Sequence, residues 1–484
     1  MTDLSSSRYR AWLAIVLIAA AILGLARLSV PSVWLDEASS WYNASGTWGH
    51  LWQRAVQGED TGGLLYSVLL KTWIGVAGTG ETALRLPGVV LMIGLMGALA
   101  RAVRLAWRRD AAVLVAAVAL VHPSLLPAAR QARGYILLLF FTALAVLALA
   151  EWLAGHRRAR WLLAAASLGA AATHVFGIFV AIGAGTCALL LWWRAPDAPD
   201  RPAGGGWSAL HAPLTLVPAI VFAAAWTLLI RDRVERNLAS FWIPGTIASN
   251  YAAISAFLIA PLAVGCAWLL WRAPSPRVRP LVVGLGTMAL PIAAGPGLVS
   301  LLARDEGHLV LLRYAMALAP LGAVAVGCAI ATLPRRLAIL LVVLALAGSI
   351  GYSASKNVYA VETRAGQDIR GAAAFLRQEV RAGDLLFVEP AHNWMALGYY
   401  GVETAPVEGR TEEWREVTVE PLIRRSPRGE DGRQGPGGGA QMRVPTAGTA
   451  WLVRFSIRTS APRELLSRAG EARQFGTLTV LRVE

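Results

Sequence analysis

Long apolar blocks, parted by clusters of arginine, limit what this chain can fold into more than any other feature. Roughly 20 apolar residues in a helix, rising about 1.5 Å each, cross the hydrocarbon of a bilayer. Blocks of this kind fall at 11–28, 84–105, 111–127, 133–153, 161–173, 174–193, 212–230, 252–271, 281–302, 314–333 and 337–353. They are apolar on every face, which suits lipid better than a half-buried surface. Only 15% of the 484 residues are charged while 56% are hydrophobic, too little charge to solvate a soluble surface of this size. The expected fold class is a polytopic α-helical membrane protein with about eleven transmembrane helices.

The arginines orient those helices. Clusters at Arg8/Arg10, Arg101/Arg104/Arg108/Arg109, Arg157/Arg158/Arg160, Arg194/Arg201, Arg272/Arg277/Arg279 and Arg335/Arg336 flank alternate ends. Placing all of them in the cytoplasm gives one consistent path, with the N-terminus inside and the C-terminus outside. The formal net charge of +15 is thereby assigned to topology and not to nucleic acid. Cys187, Cys266 and Cys328 fall inside apolar blocks, so no disulfide framework is expected, and the Cys and His spacing matches no zinc site. No A-x-A-like cleavage site follows the first block, which reads as an uncleaved helix.

Two stretches need separate treatment. The continuous apolar run 161–193, with arginines at both ends, reads as two short helices meeting near Thr173-His174. The stretch 64–78 is short and interrupted by Lys71, and counting it as a span would invert the topology. It reads as a surface helix in the first external loop. Residues 1–353 thus form a transmembrane module. Residues 354–484 read as a small external α/β domain, with a helix near 369–380, strands near 385–388, 450–457 and 478–483, and a flexible loop near 424–439.

On this topology Asp36, Glu37, Glu59, Asp60, Glu81, Asp232, Glu235, Asp305 and Glu306 are all external, and Glu151 is the one acid within a span. An ion-coupled transporter usually carries an ionisable group near the bilayer midplane, which argues against that class. Asp36-Glu37 follows the first helix among Trp34, Trp41 and Tyr42. On residues alone, two solvated acids in an interfacial aromatic belt and a site of chemistry are equally good readings. Adjacent acids point apart in any regular backbone, so the two would not act as a matched pair. Arg85, Arg130, Arg133, Arg231, Arg233, Arg236, Arg304 and Arg313 also lie on the outer face, where topology does not ask for them. They fit headgroup snorkelling or bidentate binding of a phosphate. If 126–135 is helical, Arg130 and Arg133 share a face.

Several short motifs resemble the GT-C superfamily of membrane glycosyltransferases. These are Trp34-Leu-Asp-Glu-Ala-Ser39, Leu64-Leu-Tyr66, Ala83-Leu-Arg-Leu-Pro87, Ala129-Arg-Gln-Ala-Arg-Gly-Tyr135, Thr173-His-Val-Phe176, Phe241-Trp-Ile-Pro244, Arg313-Tyr314 and Asp368-Ile-Arg-Gly-Ala-Ala373 with Gly383-Asp384. The nearest branch looks like the family 39-type bacterial enzymes, similar to protein mannosyltransferases and lipid A aminoarabinose transferases. Relatives commonly have Pro-Pro where this chain has Gly62-Gly63, and His where Lys71 stands. Some carry a second acid in the second external loop, which is missing here.

The resemblance implies an inverting glycosyltransferase in the bacterial cytoplasmic (inner) membrane, its active site facing outward. A polyprenyl-phosphate sugar would be the donor, and a lipid, glycan or protein hydroxyl the acceptor. Asp36 would be the base and Glu37 its helper. Arg130, Arg133, Tyr135 and Arg313 would hold the donor phosphate. Glu59, Asp60, Tyr66, Lys71, Arg85, His174, Trp242 and Tyr314 are the remaining candidates for a donor or acceptor pocket. No cofactor is required, and a divalent metal is compatible without being demanded. A lipid-linked sugar flippase and a non-catalytic membrane scaffold are the alternative readings.

Overall fold

The computed structural model describes residues 3–56, 63–156, 158–194, 217–218, 220–222, 224–226, 246–272, 275, 278–302, 310–355, 366–380, 384–389, 393–402, 450–455 and 469–483. The apolar run at 212–230 lies mostly outside these residues, and the loop at 424–439 entirely so. The chain forms two compact units: Met1–Ala26 with Asn43–Tyr352, and Arg27–Tyr42 with Ser353–Glu484.

The first unit is helical. Its helices are α1 (Ser6–Leu25), the end of α2 (Leu35–Ser45), α3 (Trp48–Val56), α4 (Leu64–Ala77), α5 (Glu81–Ala106), α6 (Arg109–Val121), α7 (Leu125–Ala129), α8 (Tyr135–Leu153), α9 (Ala159–Thr173) and α10 (Gly177–Arg194). They continue with α11 (Ile247–Arg272), α12 (Val278–Leu302), α13 (Leu318–Ala331) and α14 (Arg335–Ser355). Among the described residues, α1, α5, α8, α11, α12 and α14 are long and apolar enough to cross a membrane, and α4, α10 and α13 include shorter apolar helices. These apolar helices make the chain a polytopic membrane protein.

The ends of these helices follow local chemistry. The apolar block expected as one helix over 111–127 breaks: α6 stops at Val121, and His122 is extended at φ −65°, ψ 126°. Pro123 follows, and its ring disfavours helical geometry in the residue before it. The apolar run 161–193 divides into α9 and α10 across a turn at His174–Phe176. Pro87 sits within α5 and has no N–H for the carbonyl four residues back. That carbonyl, Ala83 O, accepts instead from the indole N–H of Trp73 on α4, at 2.8 Å.

The core is built around Met92, Leu99, Val115, Leu139 and Leu318, all fully buried. Glycines allow backbones to close on one another: a Cβ at Gly88 would overlap the Ala129 carbonyl, and one at Gly327 would overlap Val115. Glu151 on α8 is paired with Arg101 on α5 at 2.7 Å. Arg108 pairs with Asp110 at 2.7 Å and also donates to the Ala331 carbonyl.

The second unit carries a four-stranded sheet in the order β1-β2-β4-β3 (Leu385–Glu389, Ala450–Arg454, Leu478–Val483, Ala469–Phe475). β1 and β2 are parallel, while β4 runs antiparallel to both β2 and β3. β3 and β4 turn through Gly476-Thr477, where Gly476 has φ 63°, a left-handed value that glycine adopts without steric cost. β3 is missing from the sequence expectation. Its residues, Ala-Gly-Glu-Ala-Arg-Gln-Phe, show no alternation of apolar side chains. Helices α15 (Ile369–Glu379) and α16 (Trp394–Tyr399) complete this unit, and Asp368 caps α15 by accepting from Gly371 N–H at 2.9 Å.

Candidate active site

The candidate residues fall into two groups, one in each unit. In the second unit, Asp36 and Glu37 occupy the first turn of α2. Unpaired backbone N–H groups and the helix dipole favour carboxylates there. Successive helical residues are about 100° apart, so the two side chains diverge. Asp36 is half-buried, while Glu37 is 1% exposed. The hydroxyl of Ser40 donates to the Asp36 carbonyl one turn on, at 3.1 Å.

The backbone leading into α2 is irregular, and side chains of the C-terminal half of the same unit bind it. Arg370 donates to the carbonyls of Ser29 and Val30 at 2.7 and 3.3 Å. The Ser32 hydroxyl donates to Asp368 Oδ1 at 3.3 Å and accepts from the Arg370 N–H at 3.4 Å. Val33 N–H donates to the Tyr400 hydroxyl at 2.7 Å. Further along, Trp41 meets Tyr399 edge to face at 5.3 Å, and Tyr42 meets Trp394 at 5.1 Å. Sequence reasoning missed Arg370, Trp394, Tyr399 and Tyr400. The Asp368-Ile-Arg-Gly motif was the signal that could have pointed to the first of them.

In the first unit, five candidates gather: Arg133, Tyr135, His174, Arg313 and Tyr314. The His174 ring lies 5.3 Å from Tyr135 and 5.9 Å from Tyr314. Phe176 stacks on His174 and on Tyr314 at 5.6 and 4.7 Å. The Arg133 guanidinium lies 5.6 Å from the Tyr135 ring centroid, and that of Arg313 lies 5.3 Å from the Tyr314 centroid.

The turn between α9 and α10 holds His174 in this cluster. Its Nδ1 accepts from the Phe176 N–H at 3.2 Å, so the neutral ring carries its proton on Nε2. Burial, with the charges of Arg133 and Arg313, lowers its pKa to about 3. The imidazole is therefore neutral at physiological pH. The cluster offers two guanidiniums beside aromatic faces, a combination suited to an anion carrying an apolar or sugar group.

Other candidates are engaged elsewhere. Arg130 and Arg133 do not share a helical face: α7 ends at Ala129 and the chain bends through Gln131–Arg133. Arg130 Nη1 donates to the Leu23 and Gly24 carbonyls at 3.0 and 2.7 Å, in the last turn of α1. Lys71 donates to the carbonyls of Ala44, at 3.2 Å, and Gly46, at the end of α2. Its ammonium also lies 5.1 Å from the Trp48 ring centroid. Tyr66 on α4 and Arg85 on α5 are buried. Glu59, Asp60 and Trp242 lie outside the described residues. No three His, Cys, Asp or Glu side chains converge among the described residues.

No protein-family model matches this sequence, and no curated protein matches it significantly. Solved structures do match it in fold. ArnT from Cupriavidus metallidurans in the apo state superposes with a TM-score of 0.61 at 14% identity, over 98% of each chain. The same protein bound to undecaprenyl phosphate gives 0.57 at 15% identity, again over 98% of each chain. The expectation drawn from the loop motifs therefore holds at the level of architecture: the chain has the fold of ArnT over 98% of its length.

Proposed function

We propose that this protein is an inverting glycosyltransferase that takes a sugar from a polyprenyl-phosphate donor and passes it to an acceptor hydroxyl. The reaction would occur on the outer face of a bacterial cytoplasmic membrane. The observation that carries this reading is the fold shared over 98% of both chains with ArnT, which has been solved with undecaprenyl phosphate bound. The expected path of about eleven spans, N-terminus inside and C-terminus outside, belongs to the same proposal.

In the proposed reaction Asp36 takes the proton of the acceptor hydroxyl. The acceptor oxygen attacks the anomeric carbon on the face opposite the phosphate. The bond from that carbon to the phosphate oxygen breaks, and the electron pair leaves with the polyprenyl phosphate. Arg133 and Arg313 stabilise the charge that develops on the departing phosphate. One displacement with one base inverts the anomeric configuration. Glu37, next to Asp36 in sequence and deeply buried, does not act as a second base in this reading.

The test is transfer from polyprenyl-phosphate sugars by the purified protein in lipid, with the product's anomeric configuration determined by NMR. Asp36→Asn should lower kcat by about 10²–10⁴-fold, the usual contribution of a general base. Wild-type rates in that variant would overturn the assignment. Donor crossing the bilayer with no product formed would favour a transporter.

A further inference from the structure

The structure assigns to the C-terminal domain the task of holding the acid-bearing segment, through Arg370, Asp368 and Tyr400 as positioning residues for Asp36. This rests on the reading of Asp36 as the base. The chain leaves α1 through Arg27, at φ 52° the one described non-glycine residue with a left-handed backbone. Residues 27–34 then form neither helix nor strand. Such a stretch has no ladder of its own to fix it, so its backbone groups must find partners elsewhere.

Apart from the local turn in which Val30 N–H donates to the Arg27 carbonyl at 3.1 Å, partners come from more than 330 positions further along the chain. The |i−j| separations are 341 for Ser29 and Arg370, 336 for Ser32 and Asp368, and 367 for Val33 and Tyr400. The bonds interlock. Asp368 Oδ1 accepts both from Ser32 and from Gly371 N–H, so the N-cap of α15 and the anchor of Ser32 are one carboxylate. Arg370, two residues on, reaches the carbonyls of Ser29 and Val30. Tyr400, just past α16, receives the Val33 N–H only three residues before Asp36. Trp41 and Tyr42, on the next turns of α2, rest against Tyr399 and Trp394. The carboxylate is thus bracketed on both sides in sequence by contacts from one small domain. A general base displaced by about 1 Å loses on the order of a hundredfold in rate, so this bracket bears on turnover and not on donor affinity.

The experiment uses the full-length protein in nanodiscs, with Tyr400→Phe, Arg370→Ala and Arg370→Lys. Tyr400→Phe and Arg370→Ala should lower kcat tenfold or more while donor KM stays within twofold. Arg370→Lys should recover part of the loss, because an ammonium still reaches one carbonyl. Amide exchange over residues 30–34 should quicken in Tyr400→Phe while strands β1, β2 and β4 keep their protection. Wild-type kcat in both loss variants, or protection lost equally across the sheet, would overturn the proposal. Asp36→Asn in the same assay separates the two readings. If it stays active, the base assignment fails, while localised exchange at 30–34 would still support the anchoring.

Discussion

Gly63 lies directly against the backbone carbonyl of Thr173. Its φ is +83°, and a Cβ built on it would overlap Thr173 O. Both facts exclude any other residue: an L side chain is strained at this φ, and here it would also meet backbone that cannot move aside. The contact joins the start of α4 to the turn that carries His174. Proline, held near φ −65°, cannot adopt this geometry either.

Gly63→Ala should therefore destabilise the protein by about 2 kcal/mol or more. The measurement is thermal unfolding in detergent. An unchanged melting temperature would show that the loop has another way to pass Thr173.

Trp73→Phe should cost about 0.5–1.5 kcal/mol, the usual net worth of one hydrogen bond, since the Ala83 carbonyl is only part-buried. The aromatic character is kept in a smaller ring, and the Ala83 carbonyl loses the indole N–H that stands in for the one Pro87 lacks. In Pro87→Ala, where the helix supplies its own donor, the additional loss on Trp73→Phe should be smaller. A double-mutant cycle with no coupling between the two sites would contradict this account.

Arg130, Arg133 and Arg313 should separate by assay. Arg133→Ala and Arg313→Ala should raise donor KM, lower kcat, or both, and lysine should restore only part, since it lacks the planar fork. Arg130→Ala should act mainly on stability, because its guanidinium caps the last turn of α1. Loss of about 1.5–3 kcal/mol is expected for hydrogen bonds from a charged donor. Unaltered kinetics in Arg133→Ala and Arg313→Ala would leave snorkelling as their role.

His174 makes stability depend on pH. Its folded pKa is lowered to about 3 from 6.5, so between these values the unfolded chain binds a proton that the folded chain refuses. The melting temperature should fall as pH drops below about 6.5. In His174→Phe, which retains an aromatic ring for stacking, the decline should be shallower. Parallel pH profiles for the two proteins would contradict the assigned cause.

The apolar, membrane-spanning character and most helix positions were legible in the sequence. Apolar length and arginine position are local properties that a run of residues carries by itself, whereas the break before Pro123 was missed. The division of 161–193 at Thr173-His174 was readable for that reason, and so was the strand at β4. β3 was not, since its side chains do not alternate. The i,i+3 pairing of Arg130 and Arg133 rested on helix continuing past Ala129. Where each arginine points depended on what lay beside it, and α1 took one of them.

By itself the sequence determined that the chain crosses a membrane and that Asp36 begins a polar segment beyond the first helix. Only the tertiary structure decided that Arg27–Tyr42 belongs with the C-terminal domain, that Gly63 seats on Thr173, and that His174 stays neutral among Arg133 and Arg313. The physical reason is distance along the chain. A backbone N–H at Val33 needs an acceptor, but nothing near it in sequence says that the acceptor is the hydroxyl of Tyr400, 367 residues away.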